Sequence, residues 1–371
     1  MKKISIITII DNNNFGTFLQ AFSLCKCIEA LGAQPEIVDY CRPSLNWKKN
    51  LKKSLSSTIN PIRLLVRFYT ALQGHRLHLK DRKFIKEYLT PVEYSSFEEI
   101  KKNPPVADIY MTGSDQVWNS IYNRGVDHSF YLDYAPHGSK KVAYAASFGM
   151  DEIPENECDE IYALLSEYSH ISLREESSVR LLIDLNLPSF KLQTVLDPTL
   201  LLSKEEWFSH IKIPRMHKEK YLLVYSVESK AQDKIISEYA KKISLDKGLI
   251  VVGVYYGSKY NRIQSCKYNH YRATPQSFLS LMYYADYVIV SSFHGTAFSI
   301  NFEKEFLTIT PNRFNNRVSN LLKITGLEER LITSLDDKKL SLSEINYELV
   351  RKNLQVEREK SKKYLQSIIF D

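Results

Sequence analysis

Four short runs of the chain gather the residue types that enzymes use for proton transfer and anion binding. Ser291-Ser292-Phe293-His294-Gly295-Thr296-Ala297 follows the apolar run Tyr287 to Val290 and sets an imidazole among small polar neighbours. A histidine at a strand-to-helix turn can carry a proton near neutral pH, and the helix N-terminus beside it favours an anion. Most single histidines serve structure or face solvent; His294 stands apart because the eight others lack such a setting. Thr112-Gly113-Ser114-Asp115-Gln116-Val117-Trp118-Asn119 crowds hydroxyl, carboxylate, carboxamide and indole together, although a tight turn anchored by Trp118 explains most of these residues equally well. Ile171-Ser172-Leu173-Arg174-Glu175-Glu176 puts a guanidinium at a strand end, a planar fork for phosphate or carboxylate. Pairing of Arg174 with Glu175 or Glu176 on the following helix is the equal alternative. Asp11-Asn12-Asn13-Asn14-Phe15-Gly16 offers free backbone N–H groups at a helix start, where plain N-capping by Asn or Asp is the simpler reading.

These runs need strands and helices to hold them. Ile4 to Ile10 is β-branched and apolar, as buried parallel strands are; Gly16 to Leu31 repeats apolar residues at helical spacing, and Pro35 to Tyr40 supplies the next strand. Further strands are predicted at Asp108–Met111, Lys141–Ala146, His170–Leu173 and Thr194–Leu196, with helices at about 155–169 and 174–185. A second series starts near Lys220, with strands Tyr221–Ser226, Leu249–Tyr255, Tyr287–Ser291 and Phe306–Ile309 alternating with helices at about 231–244, 275–285 and 296–303. The restart predicts an α/β fold of two Rossmann-like domains facing across a cleft, with ligand between the carboxyl ends of the strands. The expected boundaries are 1–205 for the first domain, with a basic helical insertion at about 42–102, then 206–340, and a terminal helix in 341–371 packing back on the first domain.

Composition narrows the function classes. The 371 residues are 44% apolar and 25% charged, enough for packed cores and against disorder. Neither a G-x-x-x-x-G-K loop nor G-x-G-x-x-G occurs, so two common nucleotide fingerprints are missing. Cys25, Cys27, Cys41, Cys158 and Cys266 are scattered, without C-x-x-C or a nearby His pair, which points to a reduced cytoplasmic protein and no metal site. Met1-Lys2-Lys3 and the apolar run after it lack a small-residue cleavage site, and no 18-residue apolar stretch occurs. The net charge of +7 is uneven: residues 48–86 hold eleven basic side chains against one acid, a local +10 that leaves the remainder at −3. Inside that segment Ile62, Leu65, Val66, Tyr69 and Leu72 recur at helical spacing, the pattern of a basic amphipathic helix that can rest on an anionic membrane. A charged helix docked inside the fold is the alternative; interleaved stacking aromatics are too sparse for a nucleic-acid surface.

Taken in order, Asn14-Phe15-Gly16-Thr17-Phe18-Leu19-Gln20, Gly113 to Asn119, Ala143-Tyr144-Ala145-Ala146-Ser147-Phe148-Gly149, Ser172-Leu173-Arg174-Glu175, Leu196-Asp197-Pro198-Thr199-Leu200 and Ser292 to Thr296 resemble the polysaccharide pyruvyltransferase family, over about residues 5 to 330. The resemblance implies a GT-B-like pair of domains and transfer of the enolpyruvyl unit of phosphoenolpyruvate onto a sugar as a cyclic ketal. It assigns His294 to acid/base work and Arg174 to the donor. Many members carry Arg-Leu-His where this chain has Ser292-Phe293-His294, so a cation must come from elsewhere. Arg313 and Arg317 are the candidates, with capping or solvation of a helix from about 316 as their plainer role.

Ketal formation needs a proton on the donor methylene, a general base for two hydroxyls, and cations for a phosphate and a carboxylate. The expected site has His294 and Asp115 as proton carriers. Arg174, Arg317, Arg313, Asn14, Gly16, Ser114, Gln116, Ser292, Gly295 and Thr296 are expected to bind substrate. No cofactor is expected beyond phosphoenolpyruvate as donor; the expected acceptor is a galactose-like sugar on a lipid diphosphate carrier, in capsule or other surface polysaccharide synthesis at the inner face of the membrane. Two other readings stand beside it: a GT-B nucleotide-sugar glycosyltransferase, and a non-catalytic glycan- or lipid-binding protein.

Overall fold

A computed structural model describes residues 1–10, 14–40, 42, 61–227, 230–255, 263, 265–310, 316–334 and 343–371. The apolar runs form two all-parallel sheets. The first contains β1 (Lys3–Ile7), β2 (Gln34–Tyr40), β3 (Pro91–Tyr94), β4 (Ile109–Thr112), β5 (Lys140–Ala146), β6 (His170–Leu173) and β7 (Leu192–Thr194), in the order β3-β2-β1-β4-β5-β6-β7. The second contains β8 (Tyr221–Tyr225), β9 (Ile250–Tyr255), β10 (Tyr268–Tyr271), β11 (Tyr287–Val290), β12 (Glu305–Ile309) and β13 (Leu331–Ile332), in the order β10-β9-β8-β11-β12-β13. Both are doubly wound, and their strand order reverses between β1 and β4 and between β8 and β11. Those two points open crevices at the carboxyl ends of the strands.

The helices used below are α1 (Phe15–Ala30), α2 (Pro61–Tyr88), α3 (Cys158–Ser166), α4 (Glu176–Asp184), α5 (Lys204–His210), α6 (Lys230–Lys247), α7 (Pro275–Tyr284), α8 (Phe293–Asn301), α9 (Asn316–Thr325) and α10 (Tyr347–Phe370). One apolar cluster runs through both sheets' helices. Phe15 of α1 stacks on Phe278 of α7 at 4.8 Å, and Trp207 of α5 touches Phe22 at 5.5 Å and Phe298 of α8 at 5.2 Å. Full burial of Phe278 and Phe298 contributes roughly 1.5–3 kcal/mol each, so one flank of the domain contact is an apolar weld. The other flank is polar and holds the site. α10 crosses from one domain to the other: Arg351 pairs with Glu303, Ser361 Oγ accepts from the Leu196 amide at 3.0 Å, and Lys2 donates to the Ile369 carbonyl at 2.8 Å.

Several elements depart from the expected limits. β7 ends at Thr194, because its pairing with β6 runs out at Leu173 and the next residues leave the sheet toward α10. α8 starts at Phe293, so His294 lies in the first helical turn and not in the loop before it. β3, β10 and β13 add the sheet edges. In α2, Asp81, Phe84 and Ile85 are buried, while Leu65, Phe68, Tyr69, Leu72 and Leu79 are exposed.

Candidate active site

Asp197 sits where β7 has left the sheet, is 1% exposed, and gathers the other groups around it. Its Oδ1 accepts from the Thr199 amide at 3.0 Å and the Thr199 hydroxyl at 2.6 Å, which caps the turn Pro198–Leu200. Its Oδ2 accepts from Ser114 Oγ at 2.9 Å and from an Arg174 Nη at 3.0 Å, and lies 3.7 Å from His294 Nε2. Burial alone would raise this carboxyl. His294, the Arg174 guanidinium and the Thr199 hydroxyl hold it well below the usual carboxylate range instead.

Arg174 extends from the end of β6. Burial opposes its charge, but Asp115, Asp197 and Glu175 raise it further above its ordinary value, so it stays a cation. Its other Nη reaches Asp115 at 3.5 Å, and its guanidinium lies 4.5 Å from the centre of the Phe293 ring. Arg317, from the first turn of α9, lies over the same ring at 5.9 Å. Burial and the neighbouring Arg174 press Arg317 down to about 10, still protonated at neutral pH. Arg174 is matched by Asp115, Glu175 and Asp197, whereas Arg317 has no carboxylate ion pair among the described residues, so Arg317 is the cation that an incoming anion would satisfy.

His294 is 4% exposed. The edge of its ring presses on Gly16 of α1, where a Cβ would fall 2.0 Å from Nδ1 and 2.1 Å from Cγ. Gly16 is therefore the seat of the imidazole, and it brings the head of α1 to the site. Asn14 caps α1, its Oδ1 accepting from the Gly16 amide at 2.9 Å and from Tyr225 of the second domain at 3.3 Å.

Asp115 and Gln116 stand on a constrained stretch. Asp115 has φ +79, in the left-handed region, and Ala145 on the adjoining β5 has φ +53 beside a register shift between Ala143 and Ala146. Such backbone is held only when the surroundings demand it, and it is commonest at functional sites. Gln116 Nε2 lies over Gly149, where a Cβ would sit 1.8 Å away. Gln116 Nε2, Arg174 Nε, Glu175 Oε2, His294 Nε2 and Arg317 Nε are all buried with no hydrogen-bond partner. Arg174 Nε and Glu175 Oε2 face each other as an ion pair at 3.7 Å, and His294 Nε2 faces Asp197 Oδ2 at 3.7 Å, which leaves Gln116 Nε2 and Arg317 Nε as the buried donors open to a polar ligand.

The expected residues thus divide. His294, Asp115, Arg174, Arg317, Ser114, Gln116 and Gly16 converge. Ser292 caps α8, its Oγ accepting from the Gly295 amide at 3.0 Å; the space left by Gly295 is filled by Ser292 Oγ and Val290, each 2.9 Å from where a Cβ would be. Thr296 turns inward to the Ser292 carbonyl and Thr308, and Asn14 is engaged as a cap. Arg313 and residues 11–13 lie outside the described residues. Asp197 and Phe293 join the site although neither is among the expected residues: Asp-Pro-Thr after a short strand marks only a turn, and Ser114, Arg174 and His294 lie far from Asp197 in sequence. A cavity of about 20 Å³ lined by Arg174, Asp197, Phe293 and Arg317 adjoins a groove of about 270 Å³ between α4 and α9, lined by Glu175, Arg180, Asn316, Asn320 and Lys323. Among the described residues no group of three or more His, Cys, Asp or Glu could hold a metal ion, and no helix is long and apolar enough to cross a membrane.

The family model described as polysaccharide pyruvyl transferase matches residues 14–313. No curated protein matches the chain in sequence. Among solved structures, UDP-GlcNAc 2-epimerase from Methanocaldococcus jannaschii is 12% identical with a TM-score of 0.50, over 91% of this chain and 90% of its own. The same-named enzyme from Neisseria meningitidis, bound to UDP-GlcNAc, is 11% identical with a TM-score of 0.45, over 100% and 94%. A glycosyltransferase of Streptomyces sp. SF2575 is 12% identical with a TM-score of 0.45, over 97% and 96%. At 12% identity the likeness to the Methanocaldococcus jannaschii structure is one of fold, the GT-B-like pair of Rossmann-like domains that the two parallel sheets make.

Proposed function

The chain belongs to the polysaccharide pyruvyl transferase family, and from that premise we propose that it transfers the enolpyruvyl unit of phosphoenolpyruvate to a sugar, forming a cyclic ketal. The observation that carries this reading is the pair Arg174 and Arg317 beside Phe293, next to His294. Phosphoenolpyruvate brings a phosphate and a carboxylate; Arg317, without a carboxylate partner among the described residues, is the fork that meets one of them, and Arg174 would have to exchange one of its long contacts to Asp115 or Glu175 for the other. In this reading Arg317 supplies the charge that Ser292 does not. His294 delivers a proton to the methylene carbon, which becomes the methyl group. A first sugar hydroxyl then bonds to the central carbon and gives its proton to the imidazole. The C–O bond to phosphate breaks, phosphate leaves with the bonding pair, and a second hydroxyl closes the ring and loses its proton. Asp115, 3.5 Å from Arg174, is the second proton carrier.

We place the acceptor in the groove between α4 and α9, where Asn316, Asn320 and Glu175 offer partners for sugar hydroxyls and Arg180 and Lys323 face a carrier diphosphate. Exposed Leu65 and Phe68 on the basic helix α2, 68% and 55% accessible, support contact with an anionic membrane where a lipid-linked sugar would be met. The test supplies phosphoenolpyruvate and lipid-linked galactosides, and measures phosphate release together with the mass gained by the acceptor. Turnover that vanishes in His294→Ala is expected. Consumption of a nucleotide sugar instead, or binding of acceptor with the donor untouched, would overturn the proposal.

A further inference from the structure

We propose that Asp197 is a positioning residue for His294: a carboxylate that turns the imidazole, holds its proton, and ties its charge to that of Arg174. The inference rests on the pyruvyl-transfer reading for its chemical purpose, but its geometry stands alone. Asp197 Oδ1 is fixed by two donors from Thr199, so the carboxylate plane cannot rotate. Oδ2 is thereby aimed at Ser114, Arg174 and His294 together. His294 Nε2 is buried without a partner, and Oδ2 lies 3.7 Å away. Such contacts tighten when substrate closes a site. With Nε2–H directed to Asp197, Nδ1 at the head of α1 becomes the nitrogen that gives and takes the substrate proton.

A merely structural Asp197 would cap its turn and hold Arg174, and the pH profile of kcat/KM would then not follow the histidine titration. The charged group that faces His294 is Asp197, whose Oδ2 also binds Arg174; Asp115 and Glu175 face Arg174, and Arg317 feels Arg174, Glu175 and Asp115. Ser114 competes with His294 for the same Oδ2. The two roles therefore differ in sign. Asp197→Asn keeps the shape and removes the negative charge 3.7 Å from Nε2, so the protonated imidazole loses its counter-charge and the proton leaves at lower pH. Ser114→Ala frees Oδ2 for the imidazole and must shift the same titration upward.

The experiment follows His294 by NMR of the full chain carrying 13C-labelled histidine, its signal identified by loss in His294→Gln. The downward shift in Asp197→Asn and the upward shift in Ser114→Ala, mirrored in the pH profile of kcat/KM, are the expected results. If Asp197→Asn does not fold, Ser114→Ala decides by the direction of its shift. Titration of His294 unchanged to within about 0.3 unit in the variants that fold overturns the proposal, whatever happens to activity. Because the titration needs no substrate, a wild-type chain that shows this coupling but does not consume phosphoenolpyruvate would fail the functional reading and leave Asp197's role standing.

Discussion

Gly16→Ala adds one methyl group at the point where the two domains meet over His294. The added Cβ would lie 2.0 Å from His294 Nδ1, whereas ordinary contacts begin near 3.4 Å, so the ring or the head of α1 must withdraw by about 1.4 Å. A misplacement of about 1 Å costs on the order of a hundredfold in rate. Gly16 lies in α1 at a backbone angle that alanine accepts, and alanine favours helix by about 1 kcal/mol, while overpacking costs about 1–3 kcal/mol. Stability should therefore change by no more than about 2 kcal/mol while turnover falls at least roughly a hundredfold. Phosphate release from phosphoenolpyruvate reads the rate, and thermal unfolding reads the stability. The cause is isolated by a double-mutant cycle with His294→Ala, which removes the ring that the methyl strikes. In that background Gly16→Ala should stabilise. Turnover within about threefold of wild type, or stability effects that simply add, would refute the packing argument.

Replacing Arg317 by Met removes a buried cation that repels Arg174; thermal unfolding without ligand should occur at higher temperature, while the stabilisation given to wild type by millimolar phosphoenolpyruvate should disappear. Asp197 is held well below its ordinary range, so its contribution is complete above the unfolded carboxyl value of about 3.9 and is lost as pH falls through its folded value. The Tm gap between wild type and Asp197→Asn should accordingly narrow as pH drops below about 4. For α2, Leu65→Asp with Phe68→Asp should abolish co-sedimentation with vesicles rich in phosphatidylglycerol and leave turnover on a water-soluble acceptor within a factor of two or so; equal sedimentation by both proteins would end the membrane reading.

Where the sequence was informative, the reason was local. Apolar runs such as Val288-Ile289-Val290 and the helical spacing of Phe18, Phe22 and Leu24 report burial directly, and both sheets were visible from them. The edge strands β3, β10 and β13 were not: β3 opens on Pro91 and β10 reads Tyr-Asn-His-Tyr, because an edge strand is half solvated and needs no continuous apolar run. His294, Arg174 and Ser114 could be picked out because polar residues crowd the ends of apolar strands. The seat that Gly16 makes for His294, and the reach of Asp197 to Ser114, Arg174 and His294, are contacts between distant segments. No spacing rule encodes them: the winding of the first sheet brings Ser114 and Arg174 to Asp197, and the meeting of the two domains brings His294 to Gly16 and Asp197. Arg317 was visible as a charge, but its stack on Phe293 depended on how α9 meets α8.

The turn that carries Asp197 also constrains how chimaeras of this family can be built. The Thr199 carbonyl accepts from Trp207 at 3.2 Å and from Asn301 at 2.9 Å, Asn301 also donates to Leu202 at 3.0 Å, and Arg358 donates to Leu200 at 2.6 Å. Residues 197–202 are thus stitched into the first domain, the second domain and the closing helix at once. A crossover placed there, at the apparent border between the halves, would part a carboxylate from its cations and carbonyls from their donors. The exposed stretch Lys218-Glu219-Lys220, just before β8, is the better seam. Because Ser361 of α10 holds Leu196, the terminal helix should be inherited with the first domain, so that exchanging the second domain calls for a middle-segment graft and not a simple swap of halves.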